Sequence, residues 1–254
     1  MVLINFLNDK SLMKYPLLQF VSYKIIMLLF CSGLLISSCL KSKDDTGNGS
    51  KSQLSITNYV VNGSLGIMFD NSALTMAPIG YGNGIATGTG GYASLGSGLH
   101  NMKLATGVSL ISDNTISLTP AYNYSLFYYD TLKNNKVRSL LLTDDLTTID
   151  TVGRARFLQF IPGADSLTLY ISKDTLTYSI RDTYVGNKTV KVDPVAFSVS
   201  LKPTLYKVML QRKGVTIVQD TITVQAGKIY SFIAKGVIGG AGVYKESVTV
   251  VHHN

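Results

Sequence analysis

Glutamate occurs once in the 254 residues, at Glu246, and that scarcity limits the possible folds more than any motif does. Glutamate loses little side-chain freedom in a helix. Val, Ile, Thr and Tyr, which are plentiful here, lose more in a helix and pack well on a pleated surface. The chain therefore reads as all-β. At 46% apolar and 15% charged it lies on the globular side of the composition that divides folded from disordered sequences. Both cysteines, Cys31 and Cys39, fall in the first forty residues, so a disulfide framework or a cysteine-rich metal site further along is excluded by counting.

Those forty residues read as an address. Lys10, Lys14 and Lys24 precede an apolar run from Ile25 to Ile36, followed by Ser37, Ser38 and Cys39. A basic region, a short apolar stretch and small residues before a cut are the parts of a secretory signal, and the run is too short for an ordinary membrane span. Met13 would serve equally well as the start. Ile36-Ser37-Ser38-Cys39 resembles the bacterial lipobox, in which the cysteine thiol takes a diacylglyceryl group before the peptidase cuts in front of it. The resemblance implies a signal over 1–38, lipidation at Cys39 and a flexible polar linker over 39–52. Two or three acyl chains, at about 0.8 kcal/mol per buried CH₂, suffice for stable anchoring in a bilayer. Lys43-Asp44-Asp45 resembles the signal that sends Bacteroidota-type lipoproteins outward. The expected location is thus the outer membrane, facing the cell surface, with the periplasmic face as the alternative.

The remainder repeats. Gly107-Val108-Ser109-Leu110 faces Gly214-Val215-Thr216-Ile217 at an offset of 107. One residue is then lost, and Tyr124-Ser125-Leu126-Phe127 faces Tyr230-Ser231-Phe232-Ile233. Asn62-Gly63 faces Pro162-Gly163 more weakly. A unit of this size is a domain. Within each unit apolar residues alternate over short stretches, as in Val195, Phe197, Val199 and Leu201, and Asn62-Gly63, Gly163 and Lys213-Gly214 mark reversals. The expectation is two tandem antiparallel β-sandwiches, over 53–150 and 151–254.

The second unit opens on Ala155-Arg156-Phe157, turns at Pro162-Gly163-Ala164-Asp165 and carries Gln225-Ala226-Gly227-Lys228-Ile229-Tyr230 near its end. It resembles domain-of-unknown-function family 4397, whose marks are an opening strand into a proline-containing turn and a late aliphatic-x-Ala-Gly-x-x-Tyr segment. The resemblance covers 155 to about 240 and implies an Ig-like or transthyretin-like sandwich without an activity. The first unit departs from it, with Asn62 in place of the proline and Pro120-Ala121 in place of Ala-Gly.

Little in the sequence points to catalysis. Outside the signal the histidines are His100, His252 and His253. The last two sit at the chain end, where fraying is expected and a strand would send them to opposite faces. Asp144-Asp145 reads as a solvated turn between the units. Gly80 to Gly98 holds eight glycines in nineteen residues, but its loose dinucleotide fingerprint lacks a following helix. It reads instead as a long loop bearing Tyr81 and Tyr92. Tyr122, Tyr124 and Tyr128 share one face of a strand, with Tyr129 on the other. They either stack on sugars from an exposed row or pack in the core and at the domain junction. No catalytic residue, metal or cofactor is expected.

Charge is uneven: four basic against six acidic residues over 53–150, and thirteen against six over 151–254. The second sandwich is therefore the one expected to meet anionic glycans or lipopolysaccharide phosphates, while an exported chain without a recognised module argues against nucleic acid. Asp-Ser/Thr-aliphatic triplets place candidate O-glycosylation at Thr131, Thr151, Ser166, Thr175 and Thr221, or else mark turns leading into strands. The expected function is a non-enzymatic surface lipoprotein acting as a binding or spacer module, its partners being the bilayer and a glycan or an envelope protein. The alternative is a structural subunit of an envelope or surface-appendage complex. The sequence leaves the oligomeric state open.

Overall fold

The computed structural model describes residues 51–85, 91–132, 136–183 and 196–253. Cys39, the signal, the linker up to residue 50, Gly88 to Gly90 and Val195 lie outside them. The described residues all fall in a single compact unit. Its first half runs β1 (Lys51–Val61), β2 (Gly66–Phe69), β3 (Ser72–Ala73), β4 (Ala93–Gly96), β5 (Gly98–Thr106), β6 (Ser109–Leu118), β7 (Asn123–Thr131) and β8 (Lys136–Asp144). The second half runs β9 (Gly153–Gln159), β10 (Ser166–Lys173), β11 (Leu176–Thr183), β12 (Val199–Leu201), β13 (Thr204–Arg212), β14 (Val215–Val224), β15 (Ile229–Lys235) and β16 (Ser247–His252). One 3₁₀ turn, Gly242–Tyr244, is the only helical element among the described residues. The all-β expectation holds.

Four four-stranded sheets form two sandwiches. In order they are β3-β2-β5-β6 and β4-β1-β7-β8 in the first, and β12-β9-β15-β16 and β11-β10-β13-β14 in the second. The pairing is antiparallel except at β1–β7 and β9–β15, which are parallel. Alternation alone did not reveal those two pairs. Parallel strands need cover on both faces, and here sheets take the place of the usual helices. Leu54, Ile56, Leu104, Leu126 and Tyr128 fill the first sandwich, and Phe157, Leu169, Leu210 and Phe232 the second. A third core lies between the inner sheets, where Tyr59, Phe127, Tyr129 and Leu142 meet Leu158, Phe160 and Ile233. Six consecutive residues of β7 and six of β15 are therefore buried on both faces.

Strand register defines the repeat. β6 and β14 have the same succession of exposed and buried residues, and both hairpins carry a bulge, after Leu104 and after Leu210. The hairpin ends Thr106–Ser109 and Arg212–Val215 make the offset 106 from the start of that hairpin, not 107 with a later loss. Gly107 (φ 56°) thus stands where Lys213 (φ 50°) does. Gly107-Val108 and Lys213-Gly214 are the two turns. Two buried amides are also equivalent. Asn58 accepts the Val60 N–H and donates to the Gly63 carbonyl; Gln159 accepts the Ile161 N–H and donates to the Ala164 carbonyl.

The late Tyr segment recurs in structure where its sequence departs. Tyr124 Oη accepts the Thr119 N–H at 3.0 Å and Tyr230 Oη the Gln225 N–H at 2.8 Å, each five residues back. Between them Ala121 (φ 64°) and Gly227 (φ 70°) occupy the same left-handed position. A Cβ at Gly227 would meet nothing within 4 Å, so only the backbone conformation distinguishes the two residues there. A left-handed alanine costs about 1 kcal/mol relative to glycine. Ala121→Gly is therefore expected to raise stability by about 0.5–1 kcal/mol in urea titration and Gly227→Ala to lower it by about 1 kcal/mol; equal midpoints for wild type and both variants would refute the equivalence.

Candidate functional site

The densest cluster of reactive side chains lies between the inner sheets. Arg156 on β9 is 1% exposed, and its Nη1 stands 2.7 Å from Asp144 Oδ1 at the end of β8. Asp144 Oδ2 accepts hydrogen bonds from Ser125 Oγ at 2.5 Å and Tyr92 Oη at 2.7 Å. Arg156 Nε donates to Ser231 Oγ at 2.7 Å, and a second guanidinium nitrogen reaches Ser125 Oγ at 3.4 Å. His253 closes the ring, with Nε2 2.7 Å from Ser231 Oγ and Nδ1 2.8 Å from Tyr92 Oη. Phe197 lies 4.3 Å beneath the Arg156 guanidinium and edge-on to His253.

One arrangement of protons satisfies this ring. An ionised Asp144 only accepts, so Tyr92 and Ser125 both donate to it. Tyr92 oxygen then accepts from His253 Nδ1–H, bare Nε2 accepts from Ser231, and Ser231 oxygen accepts from Arg156. His253 must be neutral for this, and burial, with the nearby Arg156 charge, lowers its pKa to about 4. Burial beside Asp144 pushes the Tyr92 phenol well above its ordinary value, so it keeps its proton. The side chains are those of hydrolytic catalysis, but here they spend their polar atoms on one another across the junction. Tyr92, Ser125 and Asp144 come from the first sandwich, and Arg156, Ser231 and His253 from the second.

Several sequence expectations change here. His253 does not fray: its N–H bonds to the Ile229 carbonyl and its side chain is buried. Asp144-Asp145 is not a solvated turn: Asp144 is buried, while exposed Asp145 pairs with Arg154 at 2.9 Å. Tyr81 and Tyr92 are not free loop residues. Tyr81 Oη accepts the Gly236 N–H at 2.7 Å, which makes it a second link between the sandwiches, and burial pushes its pKa to about 12. The exposed tyrosine row does not form, because Tyr124 and Tyr128 face the first core at 6% and 3% exposure. Tyr129 faces the junction, the other placement the sequence left open. The repeat carries the signal for Ser125 and Ser231, which follow equivalent tyrosines, and Arg156 stands out as a cation inside an apolar strand.

Tyr122 remains exposed at 51%. It borders an open cleft of about 610 Å³ with Asn123, Thr143, Asp145, Leu146 and Thr147. Bonds from Thr147 and then Arg154 hold Asp145 ionised, with its pKa pulled down to about 2. A ring face beside amide, hydroxyl and carboxylate groups suits a sugar, whose C–H face stacks while its hydroxyls bond. Of the glycosylation candidates, Thr151, Thr175 and Thr221 are exposed, and Thr131 and Ser166 half-buried. Thr175 sits in a turn led by Asp174 at φ 51°. His100 bonds Asp70 at 2.7 Å and stacks on Phe69. No protein-family model and no curated protein matches the chain.

Removing the Asp144 charge strands a buried guanidinium, so Asp144→Asn is expected to cost about 3–5 kcal/mol in denaturant unfolding; a cost below about 1 kcal/mol would contradict the ion pair. His253 titrates lower in the folded than in the unfolded chain, so the unfolded state takes up the proton first as pH falls. Stability is then full above about pH 7 and declines between about 6.5 and 4, by roughly 3 kcal/mol, with His252 adding in the same direction. Unfolding of His253→Gln across that range should show a clearly shallower slope, and an unchanged slope would refute the assignment.

Proposed function

We propose that this chain is a lipid-anchored, non-enzymatic binding module of the bacterial cell envelope, carried on acylated Cys39 and facing outward. The supporting observation is the use made of its reactive side chains: Tyr92, Ser125, Asp144, Arg156, Ser231 and His253 face one another between the sandwiches and hold the body as one piece. A rigid body on a polar leash suits presentation of a surface to ligands beyond the membrane. The twelve residues from Cys39 to the start of β1 reach at most about 40 Å.

The Tyr122 cleft is the proposed ligand surface, and a neutral glycan the proposed ligand. An exposed ring beside Asn123, Thr143, Asp145 and Thr147 offers stacking area with a polar tip at small cost in side-chain entropy. One feature favours the structural-subunit alternative. The edge strands β6 and β14 are ten residues long, and each carries one aspartate and no lysine or proline to discourage pairing with another chain.

Labelling with a radioactive fatty acid, with the mass of the product read alongside, tests the anchor. Label on the wild type, and its loss in Cys39→Ala together with retention of the uncut signal as a larger mass, are expected; an unlabelled wild type with unchanged processing of the variant would end this reading. A glycan array with the lipid-free body tests the cleft. Binding that Tyr122→Ala reduces at least tenfold is expected. Silence on the array, together with a partner co-purifying from detergent extracts, would favour the structural subunit.

A further inference from the structure

A second cavity, of about 550 Å³, opens at the end of the outer sheet of the second sandwich and shares no lining residue with the Tyr122 cleft. The Gly163-Ala164-Asp165 turn, Ser166 and Thr168 on β10, Arg181 on β11, Arg212 and Lys213 at the β13–β14 turn, and Ile238 line it. Three cations face one aspartate in that lining. Lys213 lies 3.5 Å from Asp165 with both side chains 80% exposed, a pair that water largely screens. Arg212 is committed to Glu246 at 2.7 Å.

Arg181 is different. It is exposed, and its Nε and Nη2 both donate to the single Ser166 hydroxyl, at 3.1 and 2.9 Å. Among the described residues no carboxylate lies within ion-pair distance of it. One hydroxyl holds one edge of the guanidinium in place, and among the described residues no carboxylate takes the other. Such a planar fork is arranged to grip a carboxylate or phosphate with two parallel bonds.

The internal repeat indicates whether the fold itself demands these cations. In the first sandwich the positions of Arg212 and Lys213 are held by Thr106 and Gly107. The strand matching β11 is only the two residues Ser72–Ala73, and the register carried two residues further puts the uncharged Thr75 where Arg181 stands. The same hairpin, with the same bulge, is built without any of the three. Folding therefore does not account for them, and we infer that this cavity binds a compact oxyanion, a carboxylate or phosphate borne on a hydroxyl-rich ligand such as an acidic saccharide. Arg181 takes the anion, Lys213 adds charge at the rim, and Ser166 and Thr168 offer hydroxyls to the carrier. Neither Cys39 nor the Tyr122 cleft takes part in this site.

Isothermal titration of the lipid-free body with trigalacturonate, and separately with inorganic phosphate, tests it. At least one probe should bind, with affinity that falls as salt rises, and Arg181→Gln should weaken that binding at least tenfold. Arg181 is exposed, so the variant should keep its near-ultraviolet circular dichroism, and Tyr122→Ala should bind the probe as wild type does. Trigalacturonate binding alone would identify a uronate carrier, and phosphate binding alone a phosphorylated one. No binding of either probe, or equal binding by wild type and Arg181→Gln, would overturn the inference.

Discussion

The Arg156 guanidinium and the Asp144 carboxylate meet 2.7 Å apart with neither side chain reaching water. Burying two charges costs several kcal/mol each, and their attraction offsets this only where further hydrogen bonds complete the coordination of both. Ser125 and Tyr92 bond the carboxylate, Ser231 and Ser125 the guanidinium, His253 holds Tyr92 and Ser231 in place, and Phe197 covers the guanidinium face. The apolar contacts around the ring, Tyr59 on Phe160 and Phe127 on Phe160, would tolerate sliding of one sheet over the other. The polar ring would not, because a shift of one residue would strand a charge. The ion pair thus fixes how the sandwiches meet, and the meeting in turn buries both faces of β7, β9 and β15 over most of their length.

Duplication explains how such a junction can arise. Two copies of one domain present the same sheet face, and a face that complements itself needs only matched positions. Tyr59 and Phe160 are such a matched pair, stacked at 5.1 Å, and Ser125 and Ser231 are another. The charged members have diverged. Register places Asp144 opposite Asn123 as His253 stands opposite Ile229, and Ser55 beside Ser125 as Arg156 stands beside Ser231. Matched sites now hold a carboxylate and an imidazole, or a hydroxyl and a guanidinium. The surfaces have diverged too, as the cations around Ser166 and the exposed ring at Tyr122 illustrate.

Much of this fold was legible in the sequence because alternation and turn residues are local. Phe197 and Leu201 are buried while Ser198 and Ser200 are exposed, as their spacing predicts, and Lys213 and Gly214 turn the chain at positive φ. The sites were less legible because burial at a junction is not local. His253 reads as a frayed end, since nothing near it in sequence reveals that the first sandwich caps it. Tyr81 and Tyr92 read as loop ligands for the same reason. Tyr124 and Tyr128 share a face with Tyr122, but only the last projects past the sheet end. The parallel pairs escaped because each links strands more than sixty residues apart.

A buried polar ring joins the two sandwiches, so they should unfold as one body. Scanning calorimetry of the lipid-free body at pH 7 distinguishes one melting unit from two. A single transition whose calorimetric and van't Hoff enthalpies agree is the predicted result. Two resolved transitions, each about half of the total enthalpy, would mean that the sandwiches melt independently and that the junction does not hold them together.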